Sequence, residues 1–271
     1  MKDGFIPMKI KFASDNIFVR AVVNGHPGWM MVDTGCSSTS LDKGFCRRAG
    51  LSSTGYCHGY DATSGLGKMP LASVPRIKAG SIHLKDMQCA IIDYGPLQRA
   101  LKIEFIGILG AELFQNRLIL LDVGRRRLAS IKAVPRSFVH RVPISRFVNG
   151  IPLVKIMAGR IKISAMVDTG NAKIPFIVYS PRIVERLRCK FSSKGRTRHW
   201  GVSGKDKTTA TVIGCPVGFA GLALPETRVV CQDPGSGSIL GARIQGNIGL
   251  PLLRGYQIVF DYQNKFLYLK P

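Results

Sequence analysis

A mainly β chain of two similar lobes, with a few short helices, is the fold class that the sequence predicts. Three observations predict it. One set of landmarks occurs twice in the same order, short strand-like runs alternate with turns, and the 271 residues include 30 glycines and 15 prolines. Punctuation by Gly and Pro suits many strands and turns better than a helical bundle. The apolar fraction of 45% supplies material for a sizeable core. The length corresponds to two domains of about 100–200 residues each.

The repeat begins with Met31-Val32-Asp33-Thr34-Gly35, which recurs 135 positions later as Met166-Val167-Asp168-Thr169-Gly170. Each copy closes a predicted hairpin. The first runs over 17–24, turns at 25–28 and returns over 29–32; the second runs over 153–158, turns at Gly159-Arg160 and returns over 161–167. Short helices are predicted over 41–49 and 181–188, with Pro181 suited to a first helical position. Next come Thr63-Ser64-Gly65 and Val202-Ser203-Gly204, offset by 139. The same offset relates Ile108-Leu109-Gly110 to Asn247-Ile248-Gly249, and in each copy an Asp (Asp122, Asp261) lies 12 positions beyond the glycine. Helical turns are expected at 111–116 and 250–254, then strands at 118–122 and 257–261, and a closing hairpin through a turn at 262–264 to 265–270. The expected lobes are therefore 1–132 and 143–271, joined by a linker over 133–142 that contains Pro135.

Lys plus Arg is 39 and Asp plus Glu is 16, a net charge of +23. Up to Val134 there are 18 basic and 10 acidic residues; beyond it, 21 and 6. Such a surface attracts acidic partners. No repeated array of basic and aromatic residues points to specific nucleic-acid binding. Gly201-Val202-Ser203-Gly204-Lys205 fails the phosphate-loop spacing, because His199 stands where a glycine is required. Gly124-Arg125-Arg126-Arg127 falls where a hairpin turn is expected. No run of 18 apolar residues marks a membrane helix. The start of the chain carries no apolar run after Lys2, so the expectation is a cytoplasmic protein, with a periplasmic or secreted one if a signal segment has been removed. The seven cysteines form no Cys-x-x-Cys pair and the five histidines have no ligand spacing, so neither a metal nor a cofactor is expected. Most of the cysteines read as reduced, small apolar residues.

A carboxylate at the end of an apolar strand needs a compensating arrangement, because a lone charge beside buried surface is costly. Two copies suggest one: the lobes meet and bring Asp33 and Asp168 together. Adjacent carboxylates cannot both ionise, so the pair would share one proton. Such a dyad offers a base and an acid to one water molecule, the equipment for adding water to an amide carbonyl. Gly35 and Gly170 let the two loops approach closely, and the Thr34 and Thr169 hydroxyls can lock them.

On these residues the chain resembles the pepsin-like and retropepsin-like aspartic peptidases, in a two-lobed, single-chain form. The resemblance implies two aspartic-protease-like β-barrel lobes with a cleft between them, Asp33 and Asp168 as catalytic residues, and Thr34, Gly35, Thr169 and Gly170 as their support. It also implies flap hairpins over the cleft, with tips at 60–67 and 200–205; Tyr60, Thr63, Ser64, Gly65, Trp200, Ser203 and Gly204 are the substrate-binding candidates. The implied partner is a peptide or protein substrate, acidic ones favoured by the basic residues around 194–207, acted on by a monomer. A retropepsin-like module that binds peptides without cutting them is the alternative. Three positions depart from the family pattern. Cys36 and Asn171 follow the Gly where Ser or Ala is usual, and Asn247 replaces an apolar residue before Ile248-Gly249.

Overall fold

The computed structural model describes residues 6–7, 10–60, 65–187, 191–196, 209–219, 221–231 and 244–271. The first strands are β1 (Ile6–Pro7), β2 (Ile10–Ala13), β3 (Asn16–Val23), β4 (His26–Val32) and β5 (Ser40–Asp42), then helix α1 (Lys43–Arg48). They continue with β6 (Gly55–Tyr60), β7 (Gly65–Ala79), β8 (Ile82–Ile92), helix α2 (Gly95–Leu101), β9 (Gly107–Leu109), a single 3-10 turn at Ala111–Leu113, β10 (Leu118–Asp122) and β11 (Arg127–Ile131). The second half contains β12 (His140–Val148), β13 (Ile151–Ala158), β14 (Ile161–Asp168), β15 (Phe176–Val178), helix α3 (Pro181–Leu187), β16 (Phe191–Arg196), β17 (Thr209–Phe219) and β18 (Leu222–Cys231). It ends with β19 (Gly246–Gly249), helix α4 (Leu250–Leu253), β20 (Gln257–Asp261) and β21 (Phe266–Lys270). The mainly β class with short helices is as expected. Among the described residues no helix is long and apolar enough to cross a membrane.

Local chemistry accounts for the hairpins. The expected turn at 25–28 is tighter than the sequence suggested. Asn24 and Gly25 both have positive φ, 45° and 89°, so they alone make a two-residue turn and His26 already belongs to β4. Asn149 and Gly150 make a turn of the same kind between β12 and β13, with φ of 50° and 82°. Asp42 caps α1 by accepting a 2.8 Å hydrogen bond from the Phe45 N–H.

An eight-stranded sheet runs β2-β3-β4-β9-β5-β8-β7-β6, and β3 also pairs with β7, which curls it towards a barrel. In the second half β13 likewise pairs with β17. Around each Asp-Thr-Gly the strand plan is the same. β4 runs parallel to β9 and β14 parallel to β19. The short strands β5 and β15 are each antiparallel to that inner strand and parallel to a long one, β8 or β18.

The two halves are also stitched together behind the loops. β10 pairs antiparallel with β20, with Leu120 opposite Val259. Those two residues are 139 apart, the offset of the landmarks, so a local twofold passes between equivalent strands. Their Ile119, Leu121, Ile258 and Phe260 side chains are buried in the main core. The strands continue through β21 to β12, so His140–Val148 is part of a sheet that spans both halves.

Cys36, Cys46, Cys57 and Cys89 are free thiols, in line with most of the cysteines reading as reduced, whereas Cys215 is disulfide-bonded.

Candidate active site

Asp33 and Asp168 stand at the ends of β4 and β14, delivered by strands buried on both sides. Each loop is shaped by its own carboxylate. Asp33 Oδ1 accepts from the Gly35 N–H at 2.8 Å, and Asp168 Oδ1 accepts from the N–H groups of Gly170 and Asn171 at 2.9 and 3.0 Å. The parallel neighbours hold the loops from below. The Asp33 N–H reaches the Leu109 carbonyl at 3.0 Å, and Asp168 lies in register with Gly249.

The threonines clamp the loops to each other. The Thr34 N–H donates to Thr169 Oγ1 and the Thr169 N–H to Thr34 Oγ1, both at 3.0 Å. Each hydroxyl then donates across the twofold, Thr34 to the Val167 carbonyl at 2.7 Å and Thr169 to the Val32 carbonyl at 2.9 Å. Both side chains are fully buried. Close approach requires the glycines: a Cβ on Gly35 would run into the Asp168 carboxyl, and one on Gly170 into that of Asp33. The clamp thus brings together all six residues expected at the dyad, and the two carboxyls are near enough to hydrogen-bond each other.

Asp33 and Asp168 are half-buried, with Asp33 facing the loop of the other lobe. Burial, and next the charge and hydrogen bond of Asp168, push the Asp33 carboxyl well above the ordinary carboxylate range. Burial raises Asp168 too, but hydrogen bonds from Asn247, Asp33 and the backbone N–H groups of Asn171 and Gly170 oppose it. Both carboxyls are thus raised, and the N–H donors that oppose the rise are gathered on Asp168.

Neither position after Asp-Thr-Gly gives its aspartate a side-chain donor. The Cys36 thiol donates to the Ser38 carbonyl at 3.0 Å, and burial holds it protonated. The Asn171 amide turns to Ile174 and Asn247 and leaves the carboxylate to its backbone N–H. The side-chain donor to Asp168 is Asn247, only 2% exposed and short-bonded to Oδ2. Sequence reasoning noted Asn247 as a departure but gave it no role; a polar residue in a buried apolar strand was the available signal.

Of the flap candidates, Tyr60 and Gly65 stand opposite each other where strands β6 and β7 pair antiparallel. Thr63, Ser64, Trp200, Ser203 and Gly204 lie outside the described residues. A separate surface cavity of about 410 Å³, lined by Lys43, Arg47, Lys68 and Asp93 over Met69 and Pro70, does not reach the dyad. Among the described residues no group of three or more His, Cys, Asp or Glu side chains is placed to hold a metal.

The class this fold and site define is the two-lobed aspartic-peptidase fold. Comparison with solved structures returns 407 matching chains; one is the aspartic proteinase from Irpex lacteus, with a TM-score of 0.57 over 98% of this chain and 96% of that one, at 14% identity. More particularly, residues 19–113 match the family described as Aspartyl protease, a span that includes Asp33, the β6–β7 hairpin and Gly110. The resemblance to the aspartic peptidase family read from the sequence therefore holds. Comparison with curated protein sequences yields no match.

Two stability measurements follow from this geometry. Thr34→Val removes a buried hydroxyl and orphans the Val167 carbonyl and the Thr169 N–H, at about 1–3 kcal/mol for each group. A loss of that size in urea unfolding is expected, against a near-neutral Thr54→Val control at an exposed position; equal stability of the two variants would contradict the clamp. The second concerns pH. Folding raises the Asp33 pKa, so above the ordinary value of 3.8 the folded chain holds more protons than the unfolded one, and stability falls as pH rises from there through the raised value. Asp33→Asn should flatten that decline and be the more stable protein at pH 7; a variant with the wild-type pH dependence would place the raised carboxyl elsewhere.

Proposed function

We propose that the chain is an aspartic endopeptidase that hydrolyses peptide bonds with a water molecule activated between Asp33 and Asp168. The observation that carries this reading is a pair of half-buried carboxyls within hydrogen-bonding reach, on loops clamped by reciprocal threonine bonds. A water molecule on the dyad gives its proton to the Asp168 carboxylate as its oxygen adds to the substrate carbonyl carbon, and Asp33 gives its proton to the carbonyl oxygen. Collapse of the resulting diol breaks the C–N bond: the leaving nitrogen takes the proton now on Asp168, and a diol hydroxyl gives its proton to Asp33 as the carboxylic acid forms, which restores the single shared proton. The fold match to an aspartic proteinase and the family match over the first lobe support the same class.

The β6–β7 hairpin supports an extended substrate held by strand-like hydrogen bonds beneath a flap. Tyr60, Thr63, Ser64, Gly65, Trp200, Ser203 and Gly204 are the substrate contacts in this reading. The net charge of +23 favours acidic peptides in the same way, through long-range attraction that salt would weaken.

The test is cleavage of a peptide library by wild type, Asp33→Asn and Asp168→Asn, each purified free of other proteases. Wild type should cleave and be blocked by a statine-type inhibitor, and each variant should fold yet lose at least about a hundredfold in kcat/KM, since one carboxyl cannot serve as acid and base together. Near-wild-type turnover in either variant would overturn the dyad mechanism. A folded wild type that binds library peptides without cutting them would assign the chain to the peptide-binding alternative.

A further inference from the structure

Resting on the peptidase reading of the dyad, we propose that Asn247 is a positioning residue: an amide relay anchored on the Ile174 backbone turns its N–H groups on Asp168 and so confines the shared proton to Asp33.

The direction of the relay is set by groups that cannot reverse. A backbone N–H only donates and a backbone carbonyl only accepts. The Ile174 N–H donates to Asn171 Oδ1 at 3.0 Å, and the Ile174 carbonyl accepts from Asn171 Nδ2 at 3.0 Å. Both contacts agree on one orientation of the Asn171 amide. Its Nδ2 then donates to Asn247 Oδ1 at 2.9 Å, which makes that oxygen the acceptor end of Asn247. Asn247 Nδ2 is left facing Asp168 Oδ2, with the Tyr179 hydroxyl oxygen 3.3 Å away as its second acceptor. An amide nitrogen cannot accept, so a proton on Asp168 Oδ2 would meet a donor. The ionised form is the one that this arrangement satisfies.

The other half of the dyad has no such relay. The residue 139 positions before Asn247 is Ile108, buried and apolar. The residue after Gly35 is Cys36, whose thiol points to Ser38 and whose N–H goes to the main-chain carbonyl of Asp33 rather than to its carboxyl. Asp168 thus accepts from three N–H groups, on Gly170, Asn171 and the Asn247 side chain, whereas Asp33 is served by backbone N–H groups alone, those of Gly35 and Gly170. An otherwise twofold frame is polarised at one buried position. The titratable groups acting on the pair are the Cys36 thiol and the Tyr94, Tyr179 and Tyr262 phenols, all raised by burial and so neutral across the working range. Among the described residues Asn247 is the polarising side chain that remains, and the hydrogen bond it gives Asp168 opposes the rise that burial causes there.

The variants are Asn247→Leu, close in shape and without the donor, and Asn247→Ile, which copies the residue of the first lobe. Two readouts are taken on each. In the pH profile of kcat/KM, the acidic limb reports loss of the first proton from the dyad. It should move up by about one to two units. The alkaline limb should stay, because Asp168 is ionised on both sides of that step. Damage to packing alone would lower rates at every pH with both limbs in place, and that result would overturn the proposal. The second readout needs no turnover: carbon-13 NMR titration of labelled Asp carboxyls, with Asp33→Asn to assign the pair, should show the same upward shift of the first dyad step in either folded variant. An unshifted titration refutes the role of Asn247. An inactive wild type that nevertheless shows the shift refutes the peptidase reading and leaves the relay standing.

Discussion

The reciprocal bonds between Thr34 and Thr169 are the interaction on which the site depends. Two loops that each end in a carboxylate repel one another and have no reason to approach unless buried partners hold them. Four hydrogen bonds do so, each satisfying a backbone group that would otherwise be orphaned in a dry interior. Gly35 and Gly170 then matter for what they lack, since any side chain would occupy the space of the opposite carboxyl. The Asn16 amide, which donates across to the Gly170 carbonyl at 2.9 Å, ties the first lobe to the second loop a further time.

The clamp needs a rigid base, and the β10–β20 pairing supplies it. Equivalent strands meet antiparallel, so the sheet repeats at its centre the symmetry that the threonines repeat at the loops. Phe114, Phe260 and Tyr262 pack ring against ring, with Phe114 and Tyr262 stacked at 5.3 Å between centroids. Stability and chemistry pull against each other here. The frame is stabilised by apolar burial and satisfied hydrogen bonds, whereas the dyad is a destabilising element that burial keeps partly protonated. Pre-organising acid and base in this way costs folding free energy at neutral pH.

Much of this was legible in the sequence because it is carried by short, local signals. Asp-Thr-Gly at the end of an apolar strand marks itself, and Gly159-Arg160 placed a turn that the structure keeps between β13 and β14. The helices at Lys43–Arg48 and Pro181–Leu187 fall within their expected spans. What escaped was non-local or masked by composition. Helix α2 opens with Gly95-Pro96, a pair that reads as a turn, although Pro fits the first helical turn. The cross-half sheet was invisible because hydrophobic alternation shows that a strand is half-buried but not which strand it joins. Asn247 looked like a defect in an apolar motif; its meaning depends on Asn171, 76 residues away, and on the backbone of Ile174.

The central claim is that the two loops hold one proton between two carboxyls, on the Asp33 side. Neutron diffraction from deuterium-exchanged crystals at mildly acidic pH reads it directly. A single deuteron between the carboxyls, bonded to Asp33 and pointing at Asp168, is the expected density. A deuteron on each carboxyl, none on either, or one bonded to Asp168 would contradict it.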